Sequence, residues 1–188
     1  VVAVYFQRLW KVLLGLPGFR RLVPSVQMEL RQADGRITHW AMRGDEATRV
    51  PASHASSPIN ALQLPLDSVL ERRLMLPPLA PADLAQAVRL EVAAISPFVP
   101  DQTVSGHAIT RLDDSLTQVD VAITSRHQVA EALQAAGADP ARPPEVWVLP
   151  ATADAGGGAI PPIVLGGFGE GVRRDAVRAA LRKRLALL

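Results

Sequence analysis

Between Val69 and Pro150 the apolar residues change their spacing repeatedly, and the order of those changes leaves few architectures open. Val69 to Leu76 forms a short run that stops at Pro77-Pro78, and Pro81 then stands where the first turn of a helix tolerates a residue without an N–H. From there Leu84, Val88, Val92 and Ile95 recur on one helical stripe, with Arg89 and Glu91 off it, until Pro97 ends the element. Val104, Ala108 and Leu112 alternate with more polar neighbours, Asp113-Asp114-Ser115 turns the chain, and Val119, Val121 and Ile123 alternate again, which describes a hairpin. Ser125 can cap a second helix with Val129, Ala132, Leu133 and Ala136 on its apolar face, Gly137 closes it, and Val146-Trp147-Val148-Leu149 gives a last strand. The sum is an α+β unit of order βαββαβ, the split βαβ or ferredoxin-like arrangement, in which two helices cover one face of an antiparallel sheet. The first element has a second reading, because Ser68-x-x-Glu71 also has the form of a capping box that opens a helix.

The flanks divide the chain further. Ser25 to Arg31 and Arg36 to Met42 alternate in polarity around Asp34-Gly35 and predict another hairpin, so residues 1–62 read as an N-terminal helix plus a hairpin subdomain. Residues 63–150 hold the βαββαβ unit, 151–162 form a linker rich in Gly and Pro, and 163–188 combine a short strand, a glycine hinge and a basic helix. In the first 23 residues, Arg8, Lys11, Arg20 and Arg21 surround Val4, Tyr5, Leu9, Trp10, Val12, Leu13 and Leu14 with no acid. That pattern fits an amphipathic helix, either lying on a membrane surface or packed on a sheet. Near the other end Arg173, Arg174, Arg178, Arg182, Lys183 and Arg184 face a single acid, Asp175, ahead of Leu185-Ala186-Leu187-Leu188. A basic segment running into apolar residues precedes a membrane helix on its cytoplasmic side, and it equally describes a solvated terminal helix.

Composition removes several classes of chemistry. With no cysteine the chain has no disulfide, thiolate nucleophile or cysteine-based zinc site. Its four histidines stand singly, with no His-x-x-x-His or His-Glu-x-x-His, so no metal and no cofactor is expected. The net charge is only +2 despite an isoelectric point near 9.7, which describes a slight excess of arginine over acid and not a strongly basic protein. Nucleic acid is not an expected partner either: the strands from Thr103 to Arg111 and Leu116 to Ser125 carry no aromatic residue on which a base can stack. The apolar strand Ile163-Val164-Leu165 followed by Gly166, Gly167, Gly169 and Gly171 has the context of a phosphate loop. Its spacing fails, because Val172 stands where G-x-G-x-x-G needs glycine and no Gly-Lys-Ser/Thr follows. No Gly-x-Ser-x-Gly elbow is present, and Asp113-Asp114-Ser115 is turn chemistry, so no catalytic residue is assigned and the chain is not expected to be an enzyme.

One progression carries a resemblance. Leu70, Arg72, Arg73, Leu74, Met75, Leu76 and Pro77, then Leu84, Val88 and Glu91, then Ser96-Pro97-Phe98 with Pro100-Asp101-Gln102, and finally Val119, Val121, Arg126, Val129, Leu133 and Gly137 follow one another in order. This resembles the cytoplasmic domain of the type II secretion system protein L family and is similar to the PilN-like fimbrial assembly proteins, over roughly residues 1–150. Arg72, Arg73, Pro77, Glu91, Pro97, Phe98 and Asp101 are the positions that carry it. The resemblance implies an actin-like cytoplasmic portion built of ribonuclease-H-like subdomains, here in reduced form, with the βαββαβ unit as one subdomain. It implies a non-enzymatic component of an inner-membrane assembly platform in a type II secretion or type IV pilus-like system, on the cytoplasmic face of the bacterial inner membrane. The implied partners are the assembly ATPase and a protein M-like or pilus platform protein, with a membrane helix expected after Leu188 and a homodimer possible. Two other readings remain: a small soluble nucleotide-binding protein or enzyme using the Gly166–Gly171 loop, and a ferredoxin-like regulatory module that binds a ligand as a dimer.

Overall fold

The structure is a computed structural model that describes residues 24–52, 58–150 and 158–185, with side chains described to Lys183. The N-terminal amphipathic segment, Gly156-Gly157 and the last three residues lie outside the described residues. The strands are β1 (Val26–Arg31), β2 (Ile37–Arg43), β3 (Glu46–Val50), β4 (Ile59–Gln63), β5 (Leu70–Leu76), β6 (Thr103–Arg111), β7 (Thr117–Ser125), β8 (Glu145–Val148) and β9 (Ile163–Leu165). The helices are α1 (Pro81–Ile95), α2 (Arg126–Ala135) and α3 (Glu170–Leu185), and single 3-10 turns span Leu66–Ser68 and Pro100–Gln102. The architecture is α+β with two sheets, one of six strands in the order β3-β2-β1-β4-β8-β9 and one of three in the order β5-β7-β6.

The expected N-terminal hairpin forms around Asp34-Gly35, where Gly35 has φ +83 and the Asp34 carboxylate accepts the backbone N–H of Arg36 at 3.0 Å. Its register sets Met28 opposite Trp40 and Leu30 opposite Thr38, so these four side chains and Met42 are buried on one face of β1 and β2. Trp40 satisfies its indole N–H on the Thr38 hydroxyl at 2.9 Å. β4 then runs parallel to β1, and β8 runs parallel to β4. The outer edge of β3 is covered by a two-way bridge with Ile160, its Ala47 N–H donating at 2.7 Å and its carbonyl accepting at 2.8 Å.

Between β4 and β8 the chain makes an excursion that contains β5, α1, β6, β7 and α2, so the strand and helix order from Leu70 to Val148 matches the sequence expectation. Residues Leu66–Ser68 form only a 3-10 turn, and a strand, not a helix, follows Ser68. Two details differ. The last strand, β8, leaves the antiparallel sheet and pairs with β4 in the other one. The reason lies in its side chains: all four residues of β8 are buried, which requires cover on both faces, whereas the expected antiparallel sheet, with both helices on one face, would leave the other face open. The two helices also lie on opposite faces of the small sheet. α1 packs Leu84, Val88 and Val92 on Val119, Val121 and Ile123, while Val129 of α2 packs with Val104, Ala108 and Ala122 on the other side and with Val146 and Val148 of β8.

The ends of α2 follow the sequence signals. The Ser125 hydroxyl accepts the Gln128 N–H at 3.1 Å, the Gln128 side-chain oxygen accepts the Ser125 N–H at 3.2 Å, and Gly137 takes the left-handed conformation after the last turn at φ +65. The two sheets meet at a point that only glycine permits. A Cβ on Gly106 would lie 2.3 Å from the Val164 carbonyl oxygen, so β9 crosses β6 with no room for a side chain. Gly106→Ala is therefore expected to cost about 1–3 kcal/mol in urea unfolding, the range for overpacking. Gly166→Ala, which meets only the Ser105 carbonyl at 3.8 Å, is the control expected to change the midpoint far less.

Candidate interaction surfaces

α1 does not cover the whole width of the small sheet, and this builds a groove. Its buried stripe sits over β5 and β7, so the flank carrying Ala85, Arg89 and Ala93 overhangs β6. Between that flank and Thr103, Ser105, Gly106 and His107 of β6 lies an open, largely apolar groove of about 550 Å³, floored by Val88 and Val92 and closed at one end by Ser96, Phe98 and Pro100. The closing turn is fixed from within. The Ser96 hydroxyl accepts the Phe98 N–H at 3.2 Å and lies 2.9 Å from the Thr103 hydroxyl, which itself lies 3.0 Å from the Val99 carbonyl oxygen. Pro97 forces the chain out of the helix, and Phe98 then packs with Leu74, Leu76 and Ile95 against the core beneath α1. Solvent reaches the His107 imidazole, yet its pKa falls below the usual value, with burial against the groove wall as the larger cause and the Asp45 charge opposing it.

The other positions of the family-like progression fall on the same subdomain. Arg72 on β5 pairs with Glu91 on α1 at 3.6 Å, and Arg73 pairs with Asp120 on β7 at 2.7 Å. Both arginines are more than half exposed, so these pairs contribute little to stability. Pro77 follows the end of β5, and Asp101, in the turn before β6, offers its backbone carbonyl to Arg126 at 3.4 Å. Arg72 and Glu91 thus meet on the β5 side of α1, while Phe98 stands at the end of the groove on the β6 side.

The glycine loop before α3 uses its own anion. The Glu170 carboxylate accepts the N–H groups of Gly167 at 3.0 Å and Phe168 at 2.8 Å, the amides a phosphate would need. Burial opposes ionisation of Glu170, but the hydrogen bonds from Gly167, Glu170 and Phe168 and the charge of Arg174 hold its pKa below the usual carboxylate value. Gly169 is pressed against the start of β8, where a Cβ would lie 2.3 Å from the Pro143 carbonyl oxygen.

The basic residues of α3 separate into two groups. Arg173, expected among the membrane-proximal cations, points inward: its Nε donates to Glu145 at 2.7 Å and its Nη1 to the Gly44 carbonyl at 3.3 Å, and its side chain is only 15% exposed. Glu145 is fully buried and also accepts the Trp147 indole N–H at 2.8 Å. No spacing rule announced this pair. The available signal was a lone acid after Pro143-Pro144 at the start of an apolar strand. Arg174, Arg178 and Arg182 recur at four-residue intervals on the exposed side with Lys183, and Arg174 and Arg178 make surface pairs with Glu170 and Asp175. Arg184 lies in α3, its side chain outside the described ones.

Among the described residues no group of three or more His, Asp or Glu side chains is placed to hold a metal ion, and no helix is long and apolar enough to cross a membrane. No family model matches the chain, and no curated protein matches it. Among solved structures, a chain described as "PilM-PilN type IV pilus biogenesis complex" is similar to it at 18% identity with a TM-score of 0.38. The match covers 60% of this chain and 45% of that one, a likeness too distant to indicate a role.

The buried pair gives a stability test. Arg173→Ala leaves Glu145 without its cation and is expected to destabilise by about 3–5 kcal/mol, against about 0–1 kcal/mol for Arg174→Ala. Equilibrium urea unfolding of the two variants measures the contrast.

Proposed function

We propose that the chain is a non-enzymatic contact module of an assembly platform at the cytoplasmic face of the bacterial inner membrane, in a type II secretion or type IV pilus-like system. Its task is to hold the assembly ATPase and a protein M-like or pilus platform partner. The observation that carries this reading is the groove beside α1. The Pro97-Phe98 step belongs to the most specific part of the sequence resemblance, the progression Leu76-Pro77, Glu91, Pro97-Phe98 and Asp101, and its turn shapes one end of an open apolar furrow. Such a furrow, with Arg89 and His107 on its walls, suits a short apolar segment of a partner protein. The exposed arginines of α3 support the placement, since a cationic stripe is drawn to anionic headgroups.

The nucleotide-binding alternative is not favoured, because Glu170 occupies the loop amides. Saturable binding of ATP or NAD to the intact chain would overturn the contact-module reading.

Ala93→Arg places a long cation in the groove without touching the buried stripe of α1. Isothermal titration against the platform partner and the assembly ATPase of the same system is expected to show affinity for at least one of them. The variant should lower that affinity about tenfold or more with an unchanged unfolding midpoint. Binding to neither, or binding indifferent to Ala93→Arg, would reject the groove as the contact site.

Co-sedimentation with vesicles tests the membrane side. Binding to vesicles containing phosphatidylglycerol, but not to neutral ones, should weaken as salt rises, and Arg174→Glu combined with Arg178→Glu should abolish it. Equal binding to both vesicle types would remove the headgroup role from α3.

A further inference from the structure

We propose that the outer edge of β5 is a self-association surface, through which two copies of this chain join their small sheets into one continuous antiparallel sheet. This is independent of the platform reading. β5 ends the order β5-β7-β6, and every one of its residues is exposed or half-exposed, with Leu70 at 42% and Met75 at 48%. A seven-residue edge with apolar side chains, left unpaired by the described residues, is a template for another strand. Its two arginines do not blunt it, since Arg72 is engaged by Glu91 and Arg73 by Asp120 of the same subunit.

The sequence of the strand selects the partner and the register. A two-fold axis perpendicular to the sheet through Arg72 sets Leu70 opposite Leu74, Glu71 opposite Arg73 and Val69 opposite Met75 of the second copy, each pair occurring twice. Apolar then meets apolar and acid meets base. The one like-charge contact is Arg72 with itself, and each copy neutralises it with its own Glu91. Neighbouring registers lack this match. An axis through Glu71 opposes that acid to itself and puts Leu70 against Arg72, and one through Arg73 opposes two arginines and puts Glu71 against Met75. Because Glu91 reaches β5, the flank of α1 with Ala87 and Ala94 lies on the side of the proposed axis.

Sedimentation equilibrium of the 188-residue chain should give a mass approaching twice 20.1 kDa as concentration rises. Glu71→Arg, which sets arginine against arginine, should weaken the dimer about tenfold or more without changing the circular dichroism spectrum. The absence of native cysteine allows the register to be read directly. Arg72→Cys places two thiols on the axis and should form an intermolecular disulfide under mild oxidation, whereas Leu70→Cys and Arg73→Cys should not. A monomeric mass up to about 0.2 mM, a dimer indifferent to Glu71→Arg, or equal cross-linking at all three positions would overturn the proposal.

Discussion

The strand Glu145–Val148 has no exposed face, and both layers of the protein depend on it. Glu145 and Trp147 point into the core that contains Met28, Leu30 and Trp40, while Val146 and Val148 point into the core shared with α2 and the small sheet. Two hydrophobic clusters are therefore joined back to back through one short parallel strand. Its single charge, Glu145, is the costly element, since a carboxylate removed from water is tolerated only with good partners. Trp147 and Arg173 supply them, and Arg173 extends the connection to the Gly44 carbonyl in the β2–β3 turn. One ion pair thus positions α3, the sheet and a distant turn together.

The same economy governs the glycines near α3. Sequence context makes them look like a phosphate loop, and the amides do point toward an anion. That anion is Glu170, three residues after Gly167 in its own chain, so the loop behaves as a helix start and not as a ligand site. Gly169 has a steric role, letting the backbone before α3 lie against Pro143 and Pro144 so that Arg173 can reach Glu145.

Periodicity revealed local structure well and partner choice poorly. The alternation around Asp34-Gly35, the Leu84–Ile95 stripe, the Ser125 cap and the Gly137 stop each encode their element within a few residues, and each forms. Which sheet β8 joins is a non-local matter. Its signal was present but of another kind: Val146-Trp147-Val148-Leu149 is a continuous apolar run, typical of a strand buried on both faces, and not the alternation of a half-exposed antiparallel edge. β3 and β4 were not anticipated for different reasons: Ile59–Gln63 is short and pairs only with strands far away in sequence, whereas Glu46–Val50 follows β2 directly across Gly44-Asp45 but buries a single side chain, Ala47, and so shows no clear alternation. The groove was equally invisible, since it arises from the placement of α1 over β5 and β7 and not from any residue type.

That placement also separates the surfaces. The groove opens along β6, one edge of the small sheet, whereas the proposed dimer uses β5, the opposite edge. Arg89 and Glu91 mark the division on α1 itself, the first lining the groove and the second reaching Arg72. Two residues apart on a helix point in widely different directions, so a partner held at Arg89 leaves the Glu91 flank free. Self-association through β5 would then double the number of grooves without covering either one. Because each groove meets its partner independently, the pair would gain in avidity against a partner that itself presents two copies of the recognised segment, provided the spacing between the two grooves allows both to engage.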